Sequence, residues 1–550
     1  MKKLIRISAM TVALMLIGSS ISGCSNTPST SSGSSSSASG SSSETGSSGS
    51  ESSSSEDNYV NPDVQLPATM GLNEFNAAYT SVAPIEINFW TGFGAAVTAN
   101  IDSGIGEFQA AYPNIVVTHT SKGGYDNLQK AINLSITSNT YPNVAIGYPD
   151  HFAGYTGYID SQIQYALDPF IENSEYGVDM NDYVADYIHE NQTFQFKDRA
   201  KTEGYTLGLP FNKSTEVMVY NQTFFTWANS KDATIVIPQT WEDVSTIGTK
   251  IINLLTTGAY FGHKIDTLGN KNDAATGASV LIDLTTITAD IFYPFSYDSQ
   301  SNFFISLVRQ WGGKYTEMGP DISSGYAVFD NDETRAALAF IKGLYDDHIV
   351  GIPVTWGETS YCSIPFKSVK SVMTISSSAG VYNNVPTGDA FEIGISTVPY
   401  HQGGVKTVIS QGTNMAIFKT TDAAKALASW LFVRFMTTTY NGTFAIESGY
   451  FPVTYSGLNS AAYQSYINVT EDSASNLSKI HAAKVNFESY SNQTSGWVKF
   501  VDPGFVGSST IRAEAANIIP LLFYGDASTN YPQGAIDYAM SQLTDYVKPE

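Results

Sequence analysis

The stretch Ile85-Glu86-Ile87-Asn88-Phe89-Trp90-Thr91-Gly92 (residues 85–92) places Ile85, Ile87 and Phe89 on one face and closes on the turn residues Thr91 and Gly92. That period of two marks a strand. Downstream, Ile101, Ile105, Phe108 and Tyr112 recur at spacings of four, three and four until Pro113 stops them, a helical stripe. Ile115 to Thr118 resumes as a strand, Leu128, Ile132 and Ile136 form a second helical face, and Val144 to Ile146 is a short buried strand after Pro142. Strands alternating with helices predict an α/β domain with largely parallel pairing, in which ligands bind beyond the carboxyl ends of strands. The segments just after Trp90, Thr120 and Gly147 are therefore the first places to look for a site.

A second unit begins after Leu209, Pro210 and Phe211 with the apolar strand Val217 to Tyr220. Thr240 is placed to cap a helix carrying Val244, Ile247, Ile251 and Leu254, with Asp243 completing a capping-box-like pair. Phe303 to Trp311 and Thr334 to Tyr345 are further helical candidates. The acids of Asp330, Asn331, Asp332 and Glu333 lack EF-hand spacing and read better as a helix start than as a calcium site. Ser371 to Ile375, Phe391 to Val398 and Asn414 to Phe418 read as strands. Ala424, Leu427, Leu431 and Phe435 share one helical face, and Ile536, Met540, Leu543 and Val547 make a closing amphipathic helix.

Working back to the start of the chain, Lys2, Lys3 and Arg6 precede the apolar stretch Ala9 to Ile17, which is the pattern of a secretion signal. Ile21-Ser22-Gly23-Cys24 puts a cysteine directly after small residues and resembles a bacterial lipobox, with Cys24 the expected site of lipidation and membrane anchoring. Residues 25–57 are almost entirely Ser, Gly and Thr with a few acids, too polar to offset the entropy of ordering, and are expected to form a tether. The remaining length is enough for two domains. With Cys24 assigned to lipid only Cys362 remains, so the body holds no disulfide framework. A formal charge of -23 argues against nucleic acid as a partner.

The seven histidines are scattered with no HExxH pair, and the chain carries no Walker loop, no CxxC pair and no convincing GxSxG elbow. No metal site, no cofactor and no catalytic residue is assigned. A glycosidase pair of carboxylates is spatial rather than sequential, so a surface-anchored carbohydrate-active hydrolase stays open as an alternative at this level.

The run Gly208-Leu209-Pro210-Phe211-Asn212-Lys213-Ser214-Thr215-Glu216-Val217-Met218-Val219-Tyr220-Asn221 resembles the segment that crosses between lobes in family 1 extracellular solute-binding proteins of carbohydrate ABC importers. Other blocks agree in order: Phe89-Trp90-Thr91-Gly92, Lys122-Gly123-Gly124-Tyr125, Pro142-Asn143-Val144-Ala145, Pro238-Gln239-Thr240-Trp241-Glu242-Asp243, Ser371-Val372-Met373-Thr374-Ile375 and Ser448-Gly449-Tyr450-Phe451-Pro452. The resemblance implies a two-lobed α/β fold of the periplasmic-binding-protein type, like that of maltose-binding protein, with several hinge crossings. It further implies a monomeric lipoprotein at the extracytoplasmic face of the membrane that captures a carbohydrate by hinge closure and delivers it to permease subunits. The expected division is signal 1–23, lipidated cysteine and tether 24–57, first lobe 58–211, second lobe 212–368, first-lobe return 369–445, and second lobe with closing helices 446–550.

Carried over residue by residue, the resemblance implies ligand contacts from Tyr125, Asp150, Ser214, Ser377 or Ser378, Gly412 and Tyr450. Such a set suits a polyol, since carboxylate and hydroxyls pair with ligand hydroxyls and aromatic faces cover a sugar ring. Each is equally readable as a turn, cap or packing residue. Trp90, Trp311 and Trp356 are candidates for stacking, whereas Trp241 and Trp430 sit in helical stripes and read as core. Glycerol-3-phosphate binders carry a tryptophan pair that residues 266–282 lack, and Arg512 is the one late candidate for a phosphate contact. A neutral sugar is therefore expected over a phosphorylated polyol such as glycerol 3-phosphate.

Overall fold

The computed structural model describes residues 64–156, 162–196, 204–271, 279–492 and 494–549. The signal segment, Cys24 and the tether lie outside the described residues. Tyr59–Glu550 forms one compact unit.

Ile85–Thr91 is a strand whose Ile85, Ile87 and Phe89 are buried and whose alternate positions are exposed. It pairs in parallel with Ile115–Ser121 and with Val144–Gly147. Asn414–Ile417 and then Leu209–Pro210 complete this first sheet in antiparallel sense. The helix Ala95–Ala111 buries Ile101, Ile105 and Phe108 against it. Phe432 of the helix Ala423–Arg434 meets Phe89 and Phe108 edge-on at 5.2 and 5.1 Å. Each such aromatic removed from water contributes about 1.5–3 kcal/mol, which ties the predicted strand, helix and late helix into one core.

The second sheet runs Val350–Gly351, Phe295–Tyr297, Met373–Ser377, Ser214–Asn221, Thr407–Gln411, Val498–Phe500, with Ile393–Ser396 also on Ser214–Asn221. Ser214–Asn221 is buried along nearly its whole length, which is why its stretch Val217 to Tyr220 reads as an apolar run rather than an alternation. Around this sheet lies a second core built on Val217, Val219, Phe295, Phe303 and Ile341. Trp241 and Trp430 are 2% and 0% exposed, as their helical stripes required. The capping box of Thr240 and Asp243 is present, and Asn331 caps the helix Asp332–Asp346 by accepting from the Thr334 amide. Cys362 is free and buried.

Three boundaries differ from expectation. Met373–Ser377, Ile393–Ser396 and Thr407–Gln411 pair within the second sheet, so the return to the first lobe comes after Gly412 rather than at 369. Phe451, Val453, Leu458, Tyr463 and Ile467 pack in the first core, so the final passage to the second lobe falls after Ile467 rather than at 446. An apolar run says that a strand is buried but not which sheet buries it. The closing helix stops at Gln542, leaving Val547 half-exposed beyond it.

The chain therefore passes between the sheets twice within a few residues, at Phe211-Asn212-Lys213 and at Gly412-Thr413. Lys213 and Glu190 form an ion pair there with side chains 0% and 3% exposed. Asn414 Nδ2 also donates to Glu190 Oε1 at 2.8 Å, Lys213 Nζ to the Gly412 carbonyl at 3.2 Å, and Asn191 Nδ2 to Asn414 Oδ1 at 2.8 Å. Burial raises the Glu190 carboxyl and lowers the Lys213 ammonium, and their mutual attraction opposes both shifts. Gly412 has φ +94°, and a Cβ there would lie 1.9 Å from the Asn212 carbonyl oxygen. Gly412→Ala is expected to cost about 3 kcal/mol of unfolding free energy in urea titrations, through left-handed strain and the clash with rigid backbone.

Candidate functional site

Between the two lobes lies a cavity of about 580 Å³. The first lobe lines it with Asp126, Tyr148, Asp150 and Glu190, the second with Tyr315, Thr316, Asp502, Ser509 and Arg512, and the second crossing with Ser410, Gln411 and Gly412. Tyr148 and Asp150 directly follow the strand Val144–Gly147, and Asp126 follows Ile115–Ser121 in the first turn of the helix Tyr125–Ile136. The parallel strands thus deliver their downstream loops to the cavity, as their carboxyl ends should. From the other side the helix Ser508–Tyr524 presents Ser509 and Arg512. Asp150 joins the lobes by accepting from Ser509 Oγ at 2.8 Å.

Among the described residues lining this cavity, six each hold a buried side-chain atom without a hydrogen-bond partner: Glu190 Oε2, Tyr315 Oη, Thr316 Oγ1, Ser410 Oγ, Gln411 Oε1 and Asp502 Oδ2. Buried polar groups are ordinarily paired, and each one left unpaired costs roughly 1–3 kcal/mol. Six on one wall set, drawn from both lobes and the crossing, mark a surface shaped for a polar guest.

Of the residues expected from sequence, Asp150, Gly412 and Arg512 line the cavity. Tyr125 and Tyr450 stand behind it: their hydroxyls are 3.2 Å apart, Asn212 Nδ2 donates to Tyr125 Oη at 3.2 Å, and the Tyr125 ring meets Tyr148 edge-on at 5.3 Å. Ser214 is buried in its strand and pairs with Gln411. Ser377 is half-buried at the end of Met373–Ser377. Ser378 is fully buried and accepts from the Thr215 amide at 3.1 Å, so its hydroxyl is spent on backbone.

The tryptophans lie elsewhere. Trp90 is half-buried with the Lys122 ammonium 3.6 Å from its ring centroid. Trp311 stacks on His401 at 4.0 Å, and His401 in turn meets Glu242 at 2.8 Å. Trp356, a candidate for stacking on a ligand, donates from Nε1 to the Ile291 carbonyl at 2.9 Å and packs edge-on against Tyr293. Glu190, Tyr148, Tyr315, Thr316, Ser410, Gln411 and Asp502 were not singled out from sequence. Tyr148 carried a signal, since it directly follows the strand Val144–Gly147, whereas the others reach the cavity only through tertiary packing.

One arrangement has the look of a hydrolytic relay: His119 Nε2 is 2.9 Å from Thr91 Oγ1 and His119 Nδ1 is 2.7 Å from Asp102 Oδ1. Thr91 is 0% exposed and offers no substrate an approach, so the three side chains act to tie two strands to the neighbouring helix.

A family model for bacterial extracellular solute-binding protein matches residues 105–471. The chain belongs to that family. No curated protein sequence matches the solute-binding protein. Among solved structures it is similar to the cyclic alpha-maltosyl-1,6-maltose binding protein from Arthrobacter globiformis, at 17% identity and TM-score 0.59 over 84% of this chain and 100% of that one. It is similar also to an ABC substrate-binding protein from Listeria monocytogenes in complex with cycloalternan, at 16% identity and TM-score 0.60 over 84% and 100%. A third is UgpB from Mycobacterium tuberculosis in complex with glycerophosphocholine, at 17% identity and TM-score 0.58 over 84% and 99%. At these identities the likeness is one of fold: two lobes of the maltose-binding-protein kind. The solute-binding protein works outside the cytoplasm and binds rather than converts its ligand, which removes the hydrolase alternative.

In the solute-binding protein Arg512 is positioned through Asn302. The guanidinium Nη2 donates to Asn302 Oδ1, Asn302 Nδ2 donates to Glu216 Oε1 at 2.9 Å, and Tyr297 donates its hydroxyl to Glu216 Oε2. Burial pushes the Glu216 carboxyl up to about 7. Because the folded value lies above that of the unfolded chain, the native state holds the extra proton between them. The resulting stability is full below pH ~4.5 and is lost as pH rises through ~7. Glu216→Gln removes the charge, keeps the oxygen that accepts from Asn302, and reverses the other bond so that its amide nitrogen donates to the Tyr297 hydroxyl oxygen. Urea titrations should show it gaining up to about 3 kcal/mol on the parent between pH 4.5 and 8.

Proposed function

We propose that the chain is the lipid-anchored capture component of a carbohydrate ABC importer, holding a sugar or oligosaccharide in the interlobe cavity while the lobes close. The observation that carries the reading is one interlobe space of about 580 Å³ lined by polar side chains from both lobes and the crossing between them, six of which hold a buried atom without a hydrogen-bond partner. That volume lies in the usual range for small-ligand sites. A polyhydroxylated ligand offers many donors and acceptors around one small body, so it is the chemistry that such a wall set can satisfy. The rings of Tyr148 and Tyr315 supply aromatic surface beside the polar atoms. The ligands named for two of the structural relatives, cyclic maltosyl-maltose and cycloalternan, agree with this choice, whereas the glycerophosphocholine of the third does not.

Ligand contacts are assigned to Tyr148, Asp150, Glu190, Tyr315, Gln411, Asp502 and Arg512, with Tyr125 and Tyr450 as support for Tyr148. A guest touching both lobes favours the closed arrangement because only there are all of its contacts made. Cys24 in its lipobox-like setting and the Ser- and Gly-rich tether would let the monomeric body stand off from the membrane and meet the permease.

Thermal and urea unfolding with mono- and oligosaccharides, cyclic glucans, glycerophosphocholine and amino acids tests the reading. A sugar at a hundredfold over its dissociation constant should stabilise the protein by about 2.7 kcal/mol. Stabilisation by amino acids alone, with none from any sugar, would refute the assignment.

A further inference from the structure

The unpartnered atoms on the cavity wall are not evenly divided between donors and acceptors. Glu190 Oε2, Gln411 Oε1 and Asp502 Oδ2 are oxygens of carboxylates and of a side-chain amide, and Tyr315, Thr316 and Ser410 contribute hydroxyls that serve either way. The two carboxylates are held alike. Glu190 spends Oε1 on Lys213 and Asn414, and Asp502 spends Oδ1 on Arg309 Nη2 at 2.8 Å, so each cavity-lining carboxylate has its countercharge outside the cavity and one oxygen left without a partner. Asp126 and Asp150 add negative charge from the first lobe. Against these stand Lys130 and Arg512. Arg512 already donates to Asn302 and lies within electrostatic reach of Asp502, so its charge is partly answered before any ligand arrives.

We infer that this cavity selects its ligand by hydrogen donation: it takes neutral or amino-substituted sugars and turns away their uronate and phosphorylated counterparts, with Asp502 and Glu190 as the excluding groups. The inference rests on the cleft-binding reading above and adds the ligand's charge to it. A hydroxyl or ammonium hydrogen satisfies an orphaned carboxylate oxygen, and a bond to a charged acceptor is about twice as strong as a neutral one. An anionic oxygen at the same place finds no donor and meets like charge in a poorly screened space. Specificity then arises from repulsion as well as attraction, and the acceptors that recognise a sugar hydroxyl are those that reject a carboxylate.

Calorimetric titration of the full chain with maltotriose, the fully deacetylated chitosan trisaccharide, trigalacturonate, maltose 1-phosphate and glycerophosphocholine separates the possibilities. The neutral or amino sugar is expected to bind at least about a hundredfold more tightly than either anionic sugar. Asp502→Asn should narrow that gap by about tenfold, an effect that a purely structural role for Asp502 would not produce. Tyr315→Phe, which deletes one orphaned hydroxyl and nothing else, should weaken binding of the neutral or amino sugar by about tenfold without lowering the melting temperature of the free protein, and it serves if the Asp502 variant fails to fold. Binding of trigalacturonate, maltose 1-phosphate or glycerophosphocholine as tightly as the best neutral or amino sugar would overturn the inference and leave sugar capture intact. Failure of every member to bind would overturn the sugar reading itself.

Discussion

Lys213 and Glu190 are buried together where the chain leaves the first sheet for the second, and loss of either partner would leave a full charge in the protein interior. Breaking such a pair typically costs 3–5 kcal/mol, well beyond what a surface bridge contributes. The pair does not stabilise the fold cheaply, because burial works against both ions. It specifies geometry instead. Lys213 Nζ reaches the Gly412 carbonyl, Asn414 reaches Glu190, and Asn212 accepts from the Thr413 amide at 3.2 Å, so the two crossing strands are fastened to each other side by side. Gly412 has no side chain because the neighbouring backbone occupies that space.

The cavity follows from that fastening. Gln411 and Ser410 stand on the second-sheet side of the crossing and Glu190 on the first-lobe side, and the residue that neutralises Lys213 also lines the cavity and keeps its other oxygen without a partner. The hinge and the ligand surface therefore share a residue. Contact with Glu190 is contact with the crossing, which gives a guest a direct mechanical route to the lobe equilibrium. Arg512 is held with comparable care from the opposite wall, through Asn302 to the buried Glu216 on the strand that follows the first crossing.

Legibility from sequence tracked how local each signal was. Ile85, Ile87 and Phe89 alternate because one strand face meets a helix, and the pattern was readable without knowing which helix. Thr240 with Asp243, and Asn331 before its helix, were readable because capping is settled within four residues. The segments Ser371 to Ile375 and Phe391 to Val398 were readable as strands and Thr407–Gln411 was not, and sheet membership depends on partners some 150 to 200 residues away, so the lobe boundaries fell elsewhere than expected. Asp150 was visible because it follows a parallel strand, whereas Tyr315, Thr316 and Asp502 lie in segments with no periodic signal and become neighbours of Asp150 only when the lobes meet. Trp356 shows the opposite case: a tryptophan named as a stacking candidate has its indole committed to Ile291 and Tyr293.

The central claim is that one guest touches both lobes and the crossing at once. Hydrogen exchange of the full chain with and without a saturating sugar measures this directly. Slowed exchange is expected together in the segments around 148–151, 315–316, 409–412 and 501–512, which are far apart in sequence and all line the cavity. Protection confined to a single lobe, or centred on the segments around Trp90, Trp311 or Trp356, would contradict the account.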